Sequence, residues 1–191
     1  MTEYPVIVVA DDSGPWPADI NNAAAHAYIS LGDLYAVDIA RLQATGKPVL
    51  GVYGNHCRRG YLDNQPNTIN LTANRPAALR PWGNATVLGI EGCVRYKDSP
   101  TDILYTQEEY AAVLDPITTL IDIIITHCPP AGCNDHTDPA HQGITALTRL
   151  IDRCHPRLLI HGHTYPDQPL TQFHGTQIRY IHGWQPTTID I

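Results

Sequence analysis

Short apolar, β-branched runs recur along this chain between loops: PVIVVA (5–10), AYISL (27–31), PVLGVY (48–53), ATVLGI (85–90), DIIIT (122–126), RLLI (157–160) and QIRYI (177–181). They are continuous rather than alternating, which is the pattern of strands covered on both faces. Helical spacing fills several of the gaps. Leu34–Ala44 carries apolar residues at helical intervals and stops at Gly46-Lys47-Pro48, a C-terminal signal. Thr106–Leu114 begins with a threonine N-cap and an acidic first turn and ends before Pro116, and Gly143–Arg153 is a third helix. The pattern predicts an α/β fold, with antiparallel strands around 68–96 and at the C-terminus. No internal repeat, low-complexity tract or linker interrupts it, so residues 1–191 read as one domain.

The polar residues follow the strands. After PVIVVA come Asp11, Asp12 and Ser13; after AYISL, Gly32 and Asp33; after PVLGVY, Gly54, Asn55 and His56; after DIIIT, His127; after RLLI, His161, Gly162 and His163. Taken singly, each is a turn residue, a cap or a surface histidine. Together, five strands deliver a carboxylate, an amide or an imidazole at the same relative place, the carboxyl edge where α/β folds collect ligands. Such a mixture of oxygen and nitrogen donors suits a borderline divalent cation, manganese first, with iron, zinc or nickel as alternatives. The five cysteines lack paired spacing, which argues against a structural zinc knot.

This order of motifs resembles the calcineurin-like metallophosphoesterases, whose pattern is D-x-H, G-D, G-N-H, a lone H and G-H-x-H. The resemblance spans roughly residues 6–166, and Thr126-His127-Cys128-Pro129-Pro130 resembles the small intracellular members. It implies a four-layer αββα sandwich of two mixed β-sheets flanked by helices, with two metals at the carboxyl ends of the strands. It also implies hydrolysis of a phosphoester by a metal-activated water. One metal would be held by Asp33, Asn55, His127 and His163. The other would be held by Asp11 and the shared Asp33, and here the chain departs from the family: Ser13 and Tyr165 stand where the pattern has histidines. One tight and one weak site are therefore expected, with Asp12, Ser13, His161 and Tyr165 as substitute ligands or supporting groups. His161 and His163, two apart, are expected on one face. By the same resemblance His56 is the general acid, Asp33 joins it in catalysis, and Asn55 and His56 meet the phosphate; Arg58, from the residues alone, is a further candidate to meet it, with a solvated turn as the alternative. Cys57 replaces the acidic residue that follows this histidine in many relatives.

Composition narrows the partners. The formal charge is −7, with 19 acidic against 12 basic residues, and only Arg58 and Arg59 form a basic cluster. A binder of long nucleic acid presents a basic face, so a nuclease is disfavoured. The expected substrate is a small phosphodiester such as a cyclic nucleotide, with Trp16, Tyr35, Tyr61, Trp82 and Tyr165 as candidates to stack on a base. No apolar run is long enough to span a bilayer and the acidic N-terminus lacks a basic n-region, so the expectation is a cytoplasmic protein with reduced thiols and no membrane partner. The rival reading is an impaired enzyme kept as a metal-, phosphate- or partner-binding module. The oligomeric state is left open.

Overall fold

A computed structural model describes residues 2–11, 15–17, 20, 24–63, 65–72, 77–78 (backbone) and 82–190. A five-stranded sheet has the order β13-β1-β2-β3-β4, formed by β1 (Glu3–Ala10), β2 (Ala27–Ser30), β3 (Val49–Gly51), β4 (Thr68–Asn70) and β13 (Gly183–Asp190). A six-stranded sheet has the order β11-β12-β10-β9-β6-β5, formed by β5 (Ala77–Ala78), β6 (Thr86–Ile90), β9 (Ile123–Thr126), β10 (Leu158–His161), β11 (Gln172–Phe173) and β12 (Thr176–Tyr180). A small two-stranded sheet joins β7 (Cys93–Val94) to β8 (Leu104–Tyr105).

The reason the strands read as unbroken apolar runs is visible in how each divides its side chains. In β1, Val6, Val8 and Ala10 enter the core between the two large sheets, while Ile7 and Val9 face the opposite way, toward helix α1 (Ala36–Ala44) with its Ile39 and Leu42. In β9 and β10, Ile123, Ile125, Leu158 and Ile160 join the same central core. Ile124 and Leu159 turn outward onto Tyr110 and Leu114 of α2 (Gln107–Leu114) and Leu147, Leu150 and Ile151 of α3 (Thr145–Cys154). Alternation is present, but both faces are apolar because both are covered. The layers run α1, five-stranded sheet, six-stranded sheet, α2 with α3.

The helices start and stop where local chemistry dictates. Thr106 caps α2 by accepting from the Glu109 amide while the Glu109 carboxylate accepts from the Thr106 amide, a reciprocal capping box. Helix α1 begins two residues later than its apolar spacing predicts, at Ala36.

Strand direction is where sequence patterning misled. Among the described residues the 68–96 region is mostly parallel rather than antiparallel: β4 runs parallel to β3, β6 to β9, and β7 to β8, while β5 on β6 is antiparallel. At the C-terminus β13 is antiparallel to β1, and β11 to β12, but β12 lies parallel to β10. Apolar runs report burial and not direction, and direction was set by connections the runs do not encode. All five cysteines are buried free thiols, and no helix among the described residues is long and apolar enough to cross a membrane.

Because Leu50 is fully enclosed in the inter-sheet core and Val37 stands on the outer side of α1, truncating each should separate packing from propensity. Leu50→Ala should cost about 2–5 kcal/mol in denaturant unfolding, and Val37→Ala no more than ~0.5 kcal/mol. Equal losses would contradict the assignment of the core.

Candidate metal centre

The parallel strands β1, β2 and β3 of one sheet and β9 and β10 of the other open their carboxyl ends onto a common edge. There Asp11, Asp33 and His127 each bring one ligand atom to within 4.8 Å of the others. Two glycines permit this approach. A Cβ on Gly32 (φ +102°) would lie 2.0 Å from the Gly54 amide nitrogen, and a Cβ on Gly54 would lie 2.2 Å from Asp33 Oδ1. The loops after β2 and β3 are thus pressed together as only glycine allows, which sets Asp33 beside Asn55.

The backbone is bent at three of the candidate ligands. Asp11 (φ 60°), Asp33 (φ 55°) and His163 (φ 67°) all adopt the left-handed conformation. Each such residue costs on the order of 1–3 kcal/mol and persists where its surroundings over-determine it, commonly at functional sites.

Hydrogen bonding then fixes the imidazoles. His127 is fully buried and its Nδ1 donates to the Leu31 carbonyl at 2.8 Å. Its other nitrogen, Nε2, faces Asn55 Oδ1 at 2.8 Å and Asp33 Oδ2 at 3.4 Å. With Nδ1 holding the proton, three acceptors converge with nothing between them, an arrangement that a cation satisfies. His163 stands beside this group without joining it. Its Nε2 donates to the Ala140 carbonyl at 2.9 Å, leaving Nδ1 bare, and its ring lies 4.8 Å from that of His127. Burial pushes the His163 imidazole down to about 3, so it is neutral, as a ligand must be. Asp11 is only 6% exposed, accepts from the His163 amide at 3.3 Å, and is held above the usual carboxylate range, first by burial and then by the neighbouring Asp33. The donor set fits a divalent metal ion on these grounds; which metal is not encoded in it.

His56 stands at the rim with its side chain 57% exposed. Its amide donates to Asp33 Oδ1 at 2.9 Å and its Nδ1 lies 3.5 Å from Asp102 Oδ1. Sequence reading missed Asp102, which arrives from the loop before β8 and has no motif to mark it. Cys57 works inward instead. Its sulfur accepts from the amides of Asp33 and Gly54, both at 3.1 Å, and meets the Tyr61 hydroxyl at 2.7 Å. Burial drives its thiol up to about 11, so it braces the turn as a neutral group.

The remaining candidates spread out. Arg59 is committed to Glu91 at 2.9 and 2.5 Å and to the Tyr105 hydroxyl, while exposed Arg58 lines a cavity of ≈ 430 Å3 with Thr101 and Asp102. Asn55 is buried among the ligands. Tyr165 and Tyr35 are exposed and, with Asp11, Asp33, Leu34 and His56, line a pocket of ≈ 300 Å3. Trp82 lies wholly in the core and Trp16 packs on Trp184, so neither reaches that pocket. Asp12 and Ser13 lie outside the described residues.

His161 does not share a face with His163. Strand β10 ends at His161, whose parity is that of Leu159, toward α3, and the chain turns at Gly162 and His163 before the pleat repeats. The His161 ring accepts from Asn134 Nδ2 at 2.9 Å and donates to the Gly162 carbonyl at 3.1 Å. His182, beyond β12, was not singled out from sequence, yet its Nδ1 lies 3.9 Å from Asp11 Oδ2.

The fold has solved counterparts. One crystal structure matches at a TM-score of 0.71 with 14% identity, over 95% of this chain and 91% of that one. The crystal structure of TT1561 from Thermus thermophilus matches at 0.64, also at 14% identity, over 99% of each chain. At this identity the likeness establishes the architecture alone. No family model matches the sequence, and no curated protein matches it.

The buried His161 yields a stability prediction. Its imidazole is pushed down to about 4 by burial, against 6.5 unfolded, so the unfolded chain binds the extra proton first. Stability should be full above pH ~6.5 and fall as pH drops toward 4, by on the order of 3 kcal/mol for this group. In urea unfolding at stepped pH, His161→Leu should flatten that slope by about one proton; an unchanged slope would contradict it.

Proposed function

We propose that this protein is a metal-dependent hydrolase of small phosphoesters, of the calcineurin-like metallophosphoesterase type, acting on a phosphodiester such as a cyclic nucleotide. The observation that carries the reading is the convergence of His127 Nε2, Asn55 Oδ1 and Asp33 Oδ2, with the Nδ1 edge of His127 engaged by the Leu31 carbonyl. Asp33, Asn55, His127 and His163 would hold a tight cation, and Asp11 with Asp33 a weaker one. Manganese is the proposed ion. When bound, such an ion supplies Lewis acidity toward a phosphoryl oxygen and lowers the pKa of water to near neutrality.

The chain's own groups do the rest. His56 extends from the ligand loop into the pocket that Asp11 and Asp33 line. Asp102 sits on its Nδ1 side, which leaves Nε2 to deliver a proton to the leaving-group oxygen. Lys97 pairs with Asp102 at 2.5 Å and holds its carboxyl below the usual range. That keeps Asp102 an anion able to steady the ring, the service an acidic residue at 57 gives in relatives. Arg58 lines the neighbouring cavity with Asp102 and adds a positive charge on that side. Tyr35 and Tyr165 flank a pocket of ≈ 300 Å3, suited to a flat, small organic group rather than a polymer, and the net charge of −7 points the same way.

The rival reading, a binding module without turnover, draws on the absent histidines at 13 and 165. Retention of His56 with an anion behind it favours turnover. Hydrolysis of bis-p-nitrophenyl phosphate by chelator-stripped protein reloaded with Mn²⁺ separates the two. His56→Ala should lower kcat by about 10²–10⁴-fold, and Asp102→Ala by ~10-fold or more with a shifted pH profile. Wild type as inert as His56→Ala in Mn²⁺, Ni²⁺ and Zn²⁺ would sink the enzyme reading in favour of the module.

A further inference from the structure

The weak half of the cluster lacks two imidazoles by sequence, but the C-terminal strand brings one back. Strands β1 and β13 pair antiparallel, and their register ends with Ala10 opposite Gly183. The next residues across that ladder are Asp11 and His182. Both residues lie just past the end of the ladder, where Asp11 (φ 60°) turns away from the strand, and the contact between them is made by side chains: His182 Nδ1 lies 3.9 Å from Asp11 Oδ2. Two donors bound to one ion at roughly 2.1 Å each can be no more than about 4.2 Å apart, so the pair lies inside that limit and a modest ring movement closes it to the spacing of adjacent ligands.

The ring also has a supporting wall. Tyr165 stands edge-on to His182, with centroids 5.1 Å apart and planes at 82°. The same tyrosine lines the pocket with Asp11, Asp33 and His56. Tyr165, which stands where the resembled motif has a histidine, thus packs edge-on against the imidazole that arrives from the other side. As placed, His182 stands outside the Asp11–Asp33–His127 group, but its side chain is 51% exposed, so a ring rotation can bring it onto an ion shared with them without disturbing the core.

We propose that His182 is a metal ligand, completing with Asp11 and Asp33 a second cation position in place of the histidines that Ser13 and Tyr165 displace. This rests on the metal-centre reading of the preceding section and adds a ligand from outside the motif-bearing segments. The ions it suits are the borderline divalent metals, manganese, iron, zinc or nickel, that combine carboxylate and imidazole.

The test follows free Mn²⁺ by electron paramagnetic resonance during titration of chelator-stripped protein. Wild type should take up two ions, one tightly and one weakly. His182→Ala should weaken only the second by about tenfold or more, at least the loss seen for groups that merely support a ligand, and His127→Ala should weaken the first. A titration of His182→Ala that overlays wild type overturns the proposal. If wild type binds one ion and His182→Ala leaves it untouched, His182 is excluded while the one-ion centre stands; if wild type binds none, both fall. As a gain-of-signal check, Co²⁺ added to His182→Cys should develop a thiolate-to-metal charge-transfer band that wild type lacks, and its absence counts against the proposal.

Discussion

The organising constraint in this molecule is a convergence of electron pairs. Two carboxylates, an amide oxygen and an imidazole nitrogen meet at the edge where two sheets abut, and the other imidazole nitrogen is engaged by the Leu31 carbonyl. Burying acceptors against acceptors is costly unless something positive lies among them. The fold spends considerable structure on holding them there: glycines in contact at 32 and 54, left-handed backbone at Asp11, Asp33 and His163, and a sulfur bracing the Asp33 turn. A chain with no use for a cation would relax several of these features at no loss to its core.

The four layers explain how such a site stays rigid. Each ligand hangs from the end of a strand whose two faces are both packed, so it inherits the precision of the sheets rather than the mobility of a loop. The groups outside the strands, His56, Arg58, Tyr35 and Tyr165, are the exposed ones. A fixed donor cluster beneath an adaptable rim is a sensible division between holding a cation and admitting a substrate.

How far the sequence was legible differs by element. The three helices and the seven principal strands could be placed because capping residues and doubly buried runs leave local signatures. Strand direction could not, since a parallel and an antiparallel neighbour bury the same Val or Ile; β4 and β6 showed this. At the site, Asp11, Asp33, Asn55, His127 and His163 stood out because each lies within a few residues of a strand's carboxyl end. Asp102 and His182 did not, because what brings them in is contact across the fold: from the loop before β8 in one case, from the segment leading into β13 in the other. His161 misled for the opposite reason, since its period-two relation to His163 ended with the strand.

The central claim is that a cation belongs among these donors. A crystal grown from metal-stripped protein and soaked in Mn²⁺, measured for anomalous scattering, addresses it most directly. The account predicts a strong peak within bonding distance of Asp33, Asn55, His127 and His163. A map without that peak, with His127 still facing Asn55 across the same gap, would contradict it.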